Sequence, residues 1–483
     1  MKKLTKVAAA FAVALTLFSA NAVAAKKEKP AKEKAAKTEK AKPVKAVKFD
    51  QAKFDEAYAA GDYATCASML LGKNDNKNLV KDMIDADMLL YLSADYQNAG
   101  KGFLEAYGKM QQTTSELTGG KAIGAALGGE NAIKYSGAEY ERFLTWSMRL
   151  ATALGNKQND VASGIVKDYT GTFLQEILAL RALNEEMEKA SEESAQSDDF
   201  KNAEAALKKA NVDLGISKMN EKKPAKSNEK YERSPFFGYL GTLAWAVNDD
   251  FDHAEQFASD QQVSKGLVGE VIKVPAGKGR LEVVALSGTI GKRSEKAVQD
   301  SISLPIGGTI YTKVVCPEFK KQNHAIDSVR VTLAGESSKT ASPIEDFDTG
   351  VRIDVAQKAY GAYSRSVFRN VVKNSVSVAG IIAANAALEK AGSNPIAAKA
   401  AQIAVDKAID AAAQAIVNSE KADVRQGVYF PHMASAAGFS VAPGTYAVTI
   451  EYLNGSSVVE TKTIQNVVVE AGKVSVAVSS CEK

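Results

Sequence analysis

At 483 residues the chain is too long for one ordinary hydrophobic core, and its length predicts two or three folded units. Its 45% hydrophobic and 24% charged residues are those of a globular protein. The formal net charge of +4 is unevenly spread, because residues 25–48 hold ten Lys against three Glu and the rest of the chain after residue 48 sums to about −6. A basic tail without interleaved aromatics on an acidic body excludes a nucleic-acid partner.

The first 24 residues read as a secretory signal. Lys2, Lys3 and Lys6 give the basic start, Val7 to Phe18 the apolar core, and Ala22-Val23-Ala24 the small-residue cleavage site. The apolar run is about 12 residues, short of the roughly 20 that span a bilayer. The expected address is therefore outside the cytoplasm, periplasmic or extracellular, with the mature chain soluble. Residues 25–48 form a Lys-Ala-Pro-Glu stretch too polar to build a core. It reads as a solvated spacer or as a contact for an anionic wall or membrane surface.

Residues 49–262 read as helix pairs. A small block recurs at their turns, with a small residue, an acid, an aromatic and a small residue three positions later. It stands as Gly61-Asp62-Tyr63 with Cys66, and as Ala94-Asp95-Tyr96 with Ala99. A third copy is Asp249-Asp250-Phe251 with Ala254. After the second copy Ala99, Phe103 and Ala106 are spaced as one helical face. This resembles the tetratricopeptide repeat, and the 33-residue step from Asp62 to Asp95 is close to its period of about 34. A further pair is expected over 140–167, and Ser234-Pro235 reads as a cap followed by proline in the first helical turn. Between the pairs, Thr172 to Lys189 reads as a charged helix and Asn211 to Arg233 as a polar linker. The carboxylates around His253 could hold a metal, but their place on a repeat turn favours capping. The run Gly119 to Gly129 with Lys121 lacks the phosphate-loop pattern and reads as a connector.

From Gly266 the pattern alternates. Leu267 to Val274, Leu281 to Leu286, Thr309 to Val315 and Val329 to Leu333 are expected strands, giving a β-rich region over 263–353. Residues 354–425 read as two inserted Ala-rich helices, the first with Tyr360, Tyr363, Val367, Val371 and Val378 on one face and the second lined by Ile403, Ile409 and Ile416. A last β cluster over 426–483 carries the hairpin signal Asn454-Gly455 and completes the sheet unit. The expected class is thus α+β, with helical hairpins before a β-sandwich-like domain. Cys316 and Cys481 each follow a β-rich run, and export would permit a disulfide between them. Cys66 sits at a small-residue position of its repeat and is expected to be a buried thiol.

The order of short motifs resembles that of a poorly characterised family of bacterial envelope proteins, often lipoproteins. Its residues here are Tyr135-Ser136-Gly137 with Tyr140-Glu141-Arg142, Ser234-Pro235-Phe236-Phe237-Gly238-Tyr239-Leu240, Ala422-Asp423-Val424-Arg425, Phe430-Pro431, and Pro443-Gly444-Thr445-Tyr446. The resemblance implies repeats followed by a β-rich half, and no particular activity. The cysteine that would carry a lipid is absent near residue 24. Independently, Arg425 stands where helices give way to strands and could satisfy helix-terminal carbonyls, while Pro431 and Pro443 fix the crossing loop. None of His253, His324 and His432 falls in a metal-ligand spacing, and no G-x-S-x-G elbow occurs. The expected function is a non-enzymatic scaffold or adaptor that binds other envelope proteins through its repeats, with no cofactor. Surface attachment through the Lys-rich tail is the alternative, and a carboxylate-dependent hydrolase is the third reading.

Overall fold

The computed structural model describes residues 46–483 apart from Asn74, 118–127, 305–308 and most of 391–416. The expected signal, almost all of the Lys-rich stretch, most of the glycine-rich run and most of the expected second Ala-rich helix lie outside the described residues. The chain is α+β, with a helical first part and a β-rich second part.

Helices run over Gln51–Ala59 (α1), Tyr63–Leu71 (α2), Leu79–Leu92 (α3), Tyr96–Leu117 (α4), Glu139–Gly155 (α5) and Asn159–Asp168 (α6). A π-helical turn over Tyr169–Phe173 leads into Leu174–Ser194 (α7). Next come Asp198–Lys209 (α8), Ile216–Glu221 (α9), Pro235–Ala246 (α10), Phe251–Asp260 (α11) and Lys265–Ile272 (α12). The recurring block is explained by one turn geometry. Gly61, Ala94, Lys157 and Asp249 all have left-handed φ, between 55° and 73°. In each case the next residue donates its N–H five residues back, as Asp62 does to Ala57 and Asp95 to Leu90. That closes the first helix with a Schellman turn. The acid then caps the second helix: Asp62 accepts the N–H of Thr65, Asp95 that of Asn98 and Asp250 that of His253. The run around His253 is therefore a cap, with the His253 ring itself turned onto Asp250. Ser234 caps α10 ahead of Pro235, as its sequence predicts.

Behind each turn the small and aromatic positions pack. Ala99, Phe103, Ala106 and Ala254 are fully enclosed, while Tyr63, Tyr96 and Phe251 lie partly buried at the core's margin. The pairs do not form an open solenoid, however. Helix α5 is buried from Glu139 to Leu154 by α4, α6, α10 and strand β10 (Val474–Cys481). The face that stacked repeats would leave free is filled by the chain's own sheet.

Three corrections concern the middle of the chain. Leu267 to Val274 is not a strand, since most of it lies in α12, which Ser264 precedes and whose Val268 and Val271 enter the helical core. The helical part thus continues past 262. The stretch 292–303, not expected as a strand, pairs with Thr309–Lys320 as a two-stranded hairpin, β2 with β3. The Ala-rich insertion begins earlier than 354, as one helix α13 over Asp348–Lys390. Of its predicted apolar face, Tyr363, Val367, Val371 and Val378 pack on Ile310, Val314 and Cys316 of β3, while Tyr360 lies outside this core with Lys223 over its ring. The free edge of β3 is satisfied by this helix: Asn370 bonds both backbone groups of Lys313, and Ser366 accepts from the N–H of Val315.

The remaining strands form two sheets. One has the order β10-β1-β7-β6, with β1 (Gly279–Ser287) parallel to β10 and antiparallel to β7 (Met433–Val441), and β6 (Ser342–Asp346) at its edge. The other is β5-β4-β8-β9, built from Lys339–Thr340, Ser328–Leu333, Gly444–Asn454 and Ser457–Val469. They pack face to face. Leu281, Val283 and Ala285 of β1 meet Val331, Val448 and Ile450 of the second sheet, whereas Val284 and Leu286 point into the helices. Because β1 is buried on both faces, helices, first sheet and second sheet are three layers of one body. Pro443 and Gly444 open β8, and the Tyr446 hydroxyl returns to the carbonyl of Ala442.

Cys316 and Cys481 do not pair. Cys316 belongs to the core under α13 and Cys481 to the sandwich core, and all three cysteines are free and buried. Burial pushes each thiol up to about 11. The expected result is that a thiol reagent labels none of them in the native chain at pH 7.5 and all three after unfolding.

Candidate functional site

Several of the motif residues scattered in sequence meet at one place. A cleft of about 680 Å³ opens between the loop ahead of α5, helix α7, the segment around Lys226–Lys230, and helix α13, with Asp423 and Arg425 in its wall. The loop's path is set from beneath. Glu141 accepts the N–H of Ala138 at 2.6 Å and the hydroxyl of Tyr135, and its other oxygen accepts the N–H of Gly427. Arg142, buried without a carboxylate partner, donates to Ser136 O, Met110 O and Thr114 Oγ1. Burial pulls its guanidinium down to about 10. Tyr135, Ser136 and Gly137 are thereby presented as one wall.

The Asp423/Arg425 element forms a closed fork. Arg425 Nε and Nη2 each donate at 2.8 Å to Asp423, and Nη1 donates to the carbonyl of Ile133 at 2.8 Å. The helix-terminal carbonyls expected for Arg425 are thus replaced by a carbonyl of the loop before α5. Although burial raises the Asp423 carboxyl, the Arg425 guanidinium outweighs it and holds the carboxyl below its ordinary range. Pro431 lies just after Phe430, whose carbonyl accepts from Ile290; it serves the sheet rather than the cleft.

Of the deep lining residues, Glu130 and Arg365 belong to an alternating chain of buried charges that continues beneath the cleft as its floor. Arg365 grips Glu130 with two hydrogen bonds of 2.8 and 2.7 Å and reaches Ser191. Arg369 joins Glu130 to Glu420, and Lys373 donates to Glu420 at 2.7 Å. Burial would raise the Glu420 carboxyl, but Arg369 and Lys373 bring it below its ordinary value. Glu130, Arg365, Arg369 and Glu420 are each at most 7% exposed. At the side wall Arg181 holds Glu139 through Nε at 3.1 Å and also through Nη2.

Most of the lining acids are therefore occupied by guanidinium or ammonium groups, Glu188 by Lys226 at 2.9 Å. The lining holds eight cationic side chains against five carboxylates. Part of this difference is met just outside the lining, where Lys134 pairs with Glu116, Lys226 with Glu192 as well as Glu188, and Arg293 and Lys358 with Asp354; Lys134, Lys226 and Lys230 stand exposed at the rim. Exposed ammonium groups of this kind attract anionic groups. The repeat residues Asp62, Asp95 and Asp250 lie on turns and take no part in the cleft. Arg365, Glu130 and Glu420 were not foreseen, and no spacing in the sequence could reveal partners 235 residues apart.

No helix among the described residues is long and apolar enough to cross a membrane. Compared with protein-family models, curated proteins and solved structures, the chain matches none.

Proposed function

We propose that the chain is a non-enzymatic, exported scaffold or adaptor of the bacterial envelope, and that it holds an acidic segment of a partner protein in the cleft between α7 and α13. The observation that carries this reading is the three exposed lysines at the cleft mouth, Lys134, Lys226 and Lys230, above a base of mutually neutralised charges. Arg–carboxylate pairs keep the floor rigid, and the rim lysines supply attraction and orientation. Strand β10 packs on α5 and α10, where an open repeat array would leave a free face, and this supports the cleft over that face as the partner site. Export rests on residues 1–24, and the resemblance to envelope lipoproteins agrees with it.

Attachment through residues 25–48 is a second reading, supported by ten Lys in that stretch. The two separate in a pull-down from an envelope extract with three baits: the whole chain, a chain lacking 25–48, and Lys134→Glu/Lys230→Glu. The expected result is that the charge reversal loses the protein partners and the tail deletion keeps them. Loss on tail deletion alone would overturn the cleft reading.

A further inference from the structure

The chain has three histidines, and two of them are stacked face to face although 108 positions separate them. The His324 and His432 rings have centroids 3.5 Å apart and planes 8° from parallel. Asp348, the first residue of α13, lies against both. Its Oδ2 is 3.7 Å from His324 Nε2 and 3.5 Å from His432 Nδ1. These separations exceed ordinary hydrogen-bond length, and all three atoms are buried with no hydrogen-bond partner among the described residues. Buried polar atoms left without a partner are rare in folded proteins, so three together call for an explanation.

The surrounding structure holds the three in place. Asp348 Oδ1 accepts the N–H of Gly291 at 2.6 Å, which fixes the carboxylate with Oδ2 turned to the rings. The backbone of His432 is tied on both sides, its N–H donating to Ser287 and its carbonyl accepting from Phe347. Gly288, with φ of 66°, leaves space at the stack: a Cβ there would stand 3.1 Å from His324 Nδ1 and 3.1 Å from His432 Cβ.

We propose that His324 Nε2, Asp348 Oδ2 and His432 Nδ1 bind a divalent transition-metal ion, with Zn²⁺ the best match. The three atoms lie within 4.8 Å of one another. Ligands of a tetrahedral ion with bonds of about 2.0–2.1 Å stand roughly 3.3 Å apart, nearer the observed 3.5 and 3.7 Å than a hydrogen bond is. Two imidazoles with one carboxylate form a borderline donor set, which favours Zn²⁺ and its neighbours over Mg²⁺ or Ca²⁺. Stacked rings direct their lone pairs in parallel, so the ion must tilt one of them. His324 is the ring placed to yield, because it stands in the connection between β3 and β4. Asp346, whose Oδ1 is also 3.5 Å from His432 Nδ1, lies half-exposed beside the open position. The ion would clamp that connection, the start of α13 and the entry to β7 to one another. A cation near a helix N-terminus meets an opposing dipole, which the two aspartates offset.

The test uses the untagged whole chain, freed of metal by chelator and titrated with Zn²⁺ in a calorimeter. One equivalent is expected to bind, and the melting temperature to rise by a few degrees with excess Zn²⁺. Asp348→Asn and His432→Ala should each weaken binding by more than about 100-fold, since even outer-shell changes cost about 10–100-fold. His253→Ala should leave it unchanged. A readout that needs no variant is the ring NMR signals of selectively labelled histidine: two of the three should move with one equivalent of Zn²⁺. The proposal is overturned by the absence of saturable binding, by binding that survives Asp348→Asn, or by ring signals that respond to pH and not to Zn²⁺.

Discussion

Arg369→Met is expected to lower folding stability by about 3–5 kcal/mol, read as a fall in the urea midpoint at unchanged slope. Arg369 is 2% exposed and bridges Glu130 to Glu420, which are themselves enclosed. Its removal leaves two carboxylates sharing Arg365 and Lys373 in a medium that solvates charge poorly. Because the cost lies in the orphaned partner, Arg369→Met with Glu420→Gln should cost clearly less than the sum of the single changes. The floor is also what holds the cleft's walls at a fixed distance, α13 by Arg365 and Arg369 and the loop before α5 by Glu130. A loss under about 1 kcal/mol for the single variant would mean that water reaches these groups and that the floor is not the rigid base described.

The second large effect is on pH dependence. Burial pushes the Glu345 carboxyl up to about 7 even though Ser234, Tyr231 and the N–H of Phe236 donate to it. Asp85 is raised to about 6, again by burial, with Lys81 pulling the other way. Asp87, enclosed between α3 and α4 with Oδ2 unpartnered, is raised well above its ordinary value by burial and by Glu105. A carboxyl whose folded value lies above its unfolded one binds its proton more tightly in the fold. Its contribution is complete below about pH 4 and is lost as pH rises through the folded value. Stability should therefore fall between pH 5 and pH 8, by on the order of 3 kcal/mol from Glu345 alone. Asp87→Asn should be more stable than the parent at pH 8 and closer to it at pH 5. Denaturant titrations at the two pH values check this; a parent chain that is more stable at pH 8 than at pH 5 contradicts it.

Local chemistry was legible where a residue's role is set by its near neighbours. The acids of the repeat block are caps because a left-handed residue precedes them, and Ser234-Pro235 starts a helix for the same local reasons. The apolar face of α13 follows from periodicity, and a hairpin does join β8 to β9, but its two turn residues are Gly455 and Ser456, with Asn454 the last residue of β8. Reading failed where two structures share one pattern. Leu267 to Val274 is short and rich in Val and Ile, which suits a buried strand as well as a buried helix. Strand β2 was missed because one side of it faces water and its residues are mostly polar. The cleft floor and the His324–Asp348–His432 cluster are assembled from elements far apart in sequence, and nothing local marks them. The presumed Cys316–Cys481 bridge failed for the converse reason, since similar local settings put the two thiols in different cores.

The central claim is that the cationic mouth of the cleft, and not the Lys-rich tail, takes hold of an acidic partner segment. Its most direct measurement is the affinity of the captured partner for the chain lacking 25–48, with and without Lys134→Glu/Lys230→Glu, at two salt concentrations. The account predicts tight binding without the tail, a loss of at least about tenfold on charge reversal, and weakening at higher salt. Affinity indifferent to both the reversal and the salt would contradict it.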